Sequence, residues 1–173
     1  KIIEGVELVA VSDTRKERGQ EVAKEVNVEY VEDFKKLAGR IDVATVAAST
    51  SNHFEIAKFL LDQGISVFVE KPVTVRSGEA KELCDIAKAK GVILQVGHVE
   101  RFNPAMVSAR KVLKNPLFIE VHRLAPFTPR GADVDVVLDL MIHDLDVILS
   151  LVPSPVKSVS AVGVPVLTKL VDI

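Results

Sequence analysis

The sequence predicts an α/β protein in which a parallel sheet is covered by helices and is followed by a smaller α+β part. Three observations carry that reading. Short apolar runs alternate with stripes of helical spacing over residues 1–97. The links between them are short, as strand–helix–strand repetition in a parallel sheet requires. The character then changes after Gly97. That change places a domain boundary there, with residues 1–97 as the first part and 98–173 as the second.

Leu8 to Val11 is a continuous apolar run suited to a strand buried on both faces. A charged helix follows from Thr14 to about Glu25. Val43 to Ala48 is a second buried run. His53 to Gln63 carries Ile56, Ala57, Leu60 and Leu61 at helical spacing, with Asn52 and Glu55 as a capping box and Gly64 as the stop. Val67 to Val69 is the next strand. Ser77 caps a helix running to Lys90, with Ala80, Leu83, Cys84 and Ala87 on one face, and Gly91 ends it. Val92 to Val96 is another strand.

Beyond Gly97, Asn103 and Pro104 form a helix start, a cap followed by a first-turn proline. Leu117 to Leu124 reads as a longer strand. Leu138 to Val152 reads as an amphipathic helix with Leu138, Ile142, Leu145, Ile148, Leu149 and Val152 inward, stopped by Pro153. Val156 to Val166 is strand-like. One sheet with helices on one side accounts for this second part.

The composition narrows the function classes. Of 173 residues, 48% are hydrophobic and 27% charged, enough for a packed core in one domain or two small ones. A net charge of -2, with Lys and Arg dispersed along the chain, points away from nucleic acid. No apolar run approaches the ~18 residues that span a bilayer, and the opening residues Lys1 to Gly5 are not a signal peptide. The single cysteine, Cys84, reads as a buried inert thiol, and a cytoplasmic location is expected. The chain opens on Lys1 in mid-domain style, so it is expected to be a piece of a longer protein.

Chemistry is expected at the carboxyl ends of the parallel strands. Asp13 ends the first strand, where a carboxylate accepts hydrogen bonds from ribose hydroxyls and repels a 2′-phosphate; Arg15 and Arg18 weaken that preference, and a plain helix cap before Thr14 is the alternative. The glycine fingerprint G-x-G-x-x-G is absent, as truncation would produce, and the chain alone is expected to bind a dinucleotide poorly. Ser49, Thr50, Ser51, Asn52 and His53 join the second strand to its helix, either as a cofactor contact or as an ordinary capped turn. Glu70-Lys71-Pro72 closes the next strand; a lysine there faces the same crevice and suits proton transfer, against the alternative of a surface turn.

Asp139 and His143 are four residues apart, so a helix sets them side by side. A carboxylate beside an imidazole fixes its tautomer and stabilises its charged form, the design of a general base. Asp146 and Ser150 continue that polar face. Surface decoration is the alternative reading, and no metal is expected.

Taken in order, Asp13, the S-T-S-N-H of residues 49–53, the E-K-P of 70–72, Gly97-His98-Val99-Glu100-Arg101-Phe102-Asn103-Pro104 and the Asp139-to-His143 pair resemble the glucose–fructose oxidoreductase and inositol dehydrogenase (Gfo/Idh/MocA) family. The resemblance spans nearly the whole chain. It implies a Rossmann-type sheet, here lacking its first strand and glycine loop, followed by part of a domain with an open antiparallel sheet. It implies NAD, with NADP as the alternative, held by Asp13, Thr14, Ser49, Thr50, Asn52, His53, Glu70 and Lys71. It implies Lys71 and His143 flanking the reacting carbon, with Asp139 supporting His143, and a cis Lys71–Pro72 peptide. Proline usually stands in relatives where Ser49 stands here.

Arg101, Asn103, Arg123 and Arg130, with Phe127-Thr128-Pro129, are similar to the branch acting on nucleotide sugars such as UDP-N-acetylglucosamine at its 3-position. Guanidinium groups fit phosphate oxygens well. The expected reaction is hydride transfer between a nicotinamide cofactor and a sugar carbinol carbon. Alternatives are an inositol or free-sugar dehydrogenase, or a non-catalytic nucleotide-binding piece. A homo-oligomer is expected at full length.

Overall fold

The computed structural model describes residues 3–124 and 134–173. Five strands and five α-helices alternate: β1 (Ala10–Ser12), α1 (Lys16–Glu25), β2 (Glu29–Val31), β3 (Val43–Val46), α2 (Thr50–Asp62), β4 (Ser66–Val69), α3 (Ser77–Lys90), β5 (Leu94–Val96), α4 (Pro104–Val112) and α5 (Ile142–Leu151). Every strand pairing is parallel. The strands form two ladders, β1–β2 and β3–β4–β5, which are not hydrogen-bonded to each other. Strand β2 is an element that the apolar runs do not reveal, because Glu29-Tyr30-Val31 is too short and too polar to stand out.

The register of the larger ladder decides where the core sits. Val43, Ala44, Thr45 and Val46 lie opposite Ser66, Val67, Phe68 and Val69. Alternate residues face opposite sides, so Ala44, Val46, Val67 and Val69 share one face. That face meets Ala57, Leu60 and Leu61 of α2 and Leu83 and Ala87 of α3 in one cluster. The other face holds Val43, 62% exposed, with Thr45 and Gln95. Burial on both faces, expected for the runs at 8–11 and 43–48, is instead approached in the central strand β4.

The helix ends follow local chemistry. Gly64 takes a left-handed φ of 77° and donates to the Leu61 carbonyl at 2.9 Å, stopping α2. Asn103 accepts from the Ala105 amide at 3.0 Å and Pro104 opens α4. The start of α2 lies three residues before the expected cap, at Ser49, and Asn52 instead donates to the Ser49 hydroxyl at 2.7 Å. Cys84 is exposed, not buried. The buried stripe of α3 is narrow, taking Leu83 and Ala87 and turning the neighbouring position outward.

Differences are larger after Gly97. Residues 117–124 and 156–166 form no strand ladder, and Leu117, Phe118, Leu124, Val159 and Val162 are exposed. An open antiparallel sheet is thus not formed among the described residues, since a strand needs a hydrogen-bonded neighbour. The helix expected over 138–152 is a π-helical turn, Val137–Met141, running into α5. Its face is also rotated from expectation. Leu145 and Leu149 are exposed, and Asp146 is the buried residue of α5.

Candidate active site

Parallel strands bring the carboxyl ends of a ladder to one edge, and Asp13, Ser49 and Glu70 each stand just beyond a strand at such an end. Asp13 follows β1. Its Oδ1 accepts from the Arg15 amide at 2.7 Å, leaving Oδ2 without a partner among the described residues. Two groups outside the sequence reading hold it in place. The Tyr30 hydroxyl donates to the Asp13 carbonyl at 2.9 Å, and Gly19 of α1 lets the Tyr30 ring lie so close that a Cβ there would stand 2.2 Å from it.

Ser49 and Thr50 follow β3 at the start of α2. No side chain caps this helix, so its first amides keep their partial positive charge and hydrogen-bonding capacity. His53 is different. It is 1% exposed, with Nδ1 2.8 Å from the Pro72 carbonyl and Nε2 2.9 Å from the Ala48 carbonyl. Expected as a cofactor contact, it is instead a buried tie between the loops after β3 and β4.

Glu70 and Lys71 follow β4. The Glu70 amide still donates to the Val46 carbonyl at 2.9 Å, so the ladder runs to the edge of the crevice. The Glu70 carboxylate packs on Gly97, where an added Cβ would meet Oε2 at 2.9 Å. The Lys71–Pro72 peptide is cis. The Lys71 ammonium donates to the Asp139 carbonyl at 2.6 Å and to Asp139 Oδ1 at 3.2 Å. An ammonium has three donors, so one N–H remains to meet a ligand.

His143 sits in the first turn of α5. No hydrogen bond joins it to Asp139, and its buried Nδ1 has no partner among the described residues. The expected Asp139–His143 pair is thus replaced by a Lys71–Asp139 pair. Asp139 lies in the π-helical turn Val137–Met141, and His143 follows it in α5. The electrostatics change accordingly. Burial holds the His143 imidazole below its ordinary value, and the nearby cations Lys71 and Arg123 push it the same way, against Glu100 and Asp144.

The residues expected to meet a substrate are largely engaged with protein. Arg101 makes a two-pronged bond to Asp146, at 2.6 and 2.5 Å. Asn103 caps α4 and donates to Glu100 at 3.1 Å. Arg123 grips Asp144 through Nε and Nη2 at 2.7–3.0 Å. Arg130 and Phe127-Thr128-Pro129 lie outside the described residues. A cavity of about 360 Å³ lies between α4 and α5, lined by apolar side chains with Glu100, Arg123 and Asp144 at its polar end.

A dinucleotide suits these groups: a free carboxylate oxygen at Asp13, an uncapped helix start at Ser49, and an unpartnered imidazole nitrogen beside an ammonium.

Comparison with known proteins gives the family. The family model for the "oxidoreductase family, NAD-binding Rossmann fold" matches residues 3–98. UDP-N-acetylglucosamine 3-dehydrogenase of Acidithiobacillus ferrooxidans is 36% identical over 167 residues, which are 96% of this chain and 53% of that protein. The scyllo-inositol 2-dehydrogenase (NAD(+)) of Bacillus subtilis is 30% identical over 173 residues, 93% of this chain and 51% of that protein. A solved structure of the Acidithiobacillus enzyme superposes with a TM-score of 0.88 at 37% identity, covering 95% of this chain and 55% of that one. The chain spans about half the length of the curated relatives it matches.

Proposed function

The chain belongs to the Gfo/Idh/MocA oxidoreductase family, and from that premise we propose that it serves hydride transfer between a nicotinamide cofactor and a carbinol carbon of a nucleotide sugar. UDP-N-acetylglucosamine, reacting at its 3-position, is the substrate favoured by the relative covering 96% of this chain. NAD is favoured over NADP, because the Asp13 carboxylate attracts ribose hydroxyls and repels a 2′-phosphate, a preference that Arg15, 3.7 Å from Oδ1, weakens.

The observation that carries the proposal is the Lys71–Asp139 contact. It joins residues 68 positions apart and brings the end of β4 to the turn that carries His143. When bound, the cofactor supplies the hydride acceptor. The chain supplies the proton chemistry. His143 accepts the hydroxyl proton of the substrate, and its lowered pKa keeps it in the free-base form that can do so. Lys71 donates its remaining N–H to the same oxygen and steadies the negative charge that develops there. Asp139 holds the ammonium in place.

The test is turnover of a full-length version, followed as NADH formation. UDP-N-acetylglucosamine should be oxidised and inositol should not, while His143→Ala should lower turnover about 10²–10⁴-fold with the fold intact. Inositol as the better substrate would move the assignment to the inositol branch. Unchanged turnover in His143→Ala would remove the imidazole from the mechanism.

A further inference from the structure

His143 lies between two anchors. Asp139, four residues earlier, is held by Lys71, and Asp146, three residues later, is held by Arg101. The second anchor is the more buried, since Asp146 is 9% exposed. Its two oxygens take the two prongs of the guanidinium at 2.6 and 2.5 Å. A fork meeting a carboxylate fixes direction as well as distance. It therefore restrains the rotation of α5 about its own axis, which a single contact would leave free.

Where Arg101 comes from matters as much. It stands in the 3₁₀ turn Val99–Phe102, directly beyond β5. Val96 of β5 is in register with Val69 of β4, and the Gly97 amide donates to the Val69 carbonyl at 2.8 Å. Lys71 is two residues beyond Val69. Arg101 and Lys71 thus project from adjacent, hydrogen-bonded strand ends, one holding α5 after His143 and the other holding the turn before it. The His98 ring also stands over Asp146, with Nδ1 3.8 Å from Oδ1 and no hydrogen bond.

We propose that Arg101 and Asp146 are positioning residues, a clamp that sets the approach of His143 to Lys71 without touching substrate or cofactor. This rests on the dehydrogenase reading above. It assigns Arg101 a task other than the substrate contact that its place in the sequence suggests. The cofactor residues Asp13, Ser49, Glu70 and Lys71 lie on the strand ends, so losing the clamp leaves cofactor affinity in place and misaligns only the imidazole. A misplacement of about 1 Å costs on the order of 10²-fold in rate.

The experiment compares the protein with Asp146→Asn, Asp146→Glu, Arg101→Lys and the double variant Arg101→Ala/Asp146→Ala. NADH affinity, kcat and KM with UDP-N-acetylglucosamine, and melting temperature are measured for each. Asp146→Asn should lower kcat about 10–100-fold, with NADH affinity and KM within about twofold of the parent. Asp146→Glu should recover part of kcat. Arg101→Lys, which keeps the charge and loses the fork, should fall between and covers the case in which the neutral variant does not fold. The double variant should be about as slow as Asp146→Asn, as coupled partners require. A folded Asp146→Asn or Arg101→Lys protein with parental kcat would overturn the clamp. So would a loss of kcat matched by an equal loss of NADH affinity. Absence of turnover in the full-length parent would instead sink the dehydrogenase reading.

Discussion

His143 is where the structure departs most usefully from its sequence neighbourhood. A carboxylate four residues away suggests an imidazole biased toward its charged form. Here Asp139 faces Lys71, and the strongest influences on His143 are burial and then the Lys71 ammonium, both opposing protonation. The folded value lies below the ordinary 6.5, so the native state binds this proton less tightly than the unfolded chain does. Two consequences follow from the sign. Native stability falls as pH drops below the unfolded value. The free base persists at pH 6.5 and is lost only as pH falls through the lowered value. Titration of the ring by NMR should place its midpoint below 6.5, and Arg123→Gln should raise that midpoint by removing a cation and freeing Asp144. A midpoint above 6.5 in the parent would contradict the charge arrangement. Asp146 behaves in the opposite sense from most buried acids: the Arg101 hydrogen bonds hold its carboxyl low despite burial. Asp13, Lys71 and His143 were legible as single residues because each sits at a strand end or in a helix turn that local pattern marks. The Tyr30 contact to Asp13, the Arg101 contact to Asp146 and the influence of Glu100 on His143 were not, because no spacing rule ties residues so far apart.

Packing between elements decides how well the crevice is built. Helix α1 approaches β2 closely only because Gly19 has no side chain, and that approach lets Tyr30 pin the Asp13 carbonyl. Gly19→Ala forces the Tyr30 ring to move and should cost about 1–3 kcal/mol, read as a lower denaturation midpoint. It should also weaken NADH binding, because Asp13 loses its tether; unaltered stability and affinity would show that the ring shifts freely. The helices α2 and α3 show how far pattern reading goes. Leu60, Leu61, Leu83 and Ala87 were recognisable from helical spacing and are buried. Cys84, one position from Leu83, is exposed. In α5 the pattern holds only in part: Leu138, Ile142, Ile148 and Val152 are half-buried, but Leu145 and Leu149 are outside and Asp146 inside. Apolarity alone does not choose a face when an arginine fork can satisfy a carboxylate on the other one.

Across the whole molecule, order is uneven. The centre is β4, whose Val67 and Val69 are 1% and 0% exposed between α2 and α3. Residues 117–124 and 156–166 are extended, apolar at many positions and without ladder partners. Amide hydrogen exchange should therefore be slowest in β4 and its flanking helices and fast over those two segments apart from Val164 and Val166, whose amides donate to Ile173 and Asp172, since unpaired backbone exchanges without unfolding. Slow exchange there would mean that they pair with a partner, such as a second copy of the chain. The sequence alone determined the alternation of strands and helices, the parallel order and the strand ends at which Asp13, Ser49 and Lys71 stand. These follow from periodicity, caps and turns, which are local physics. Only the tertiary structure decided that Lys71 holds Asp139 across 68 residues and that Arg101 holds Asp146 across 45. Charged side chains choose among many possible partners, and that choice is made by which strand ends and helix faces the fold brings within reach.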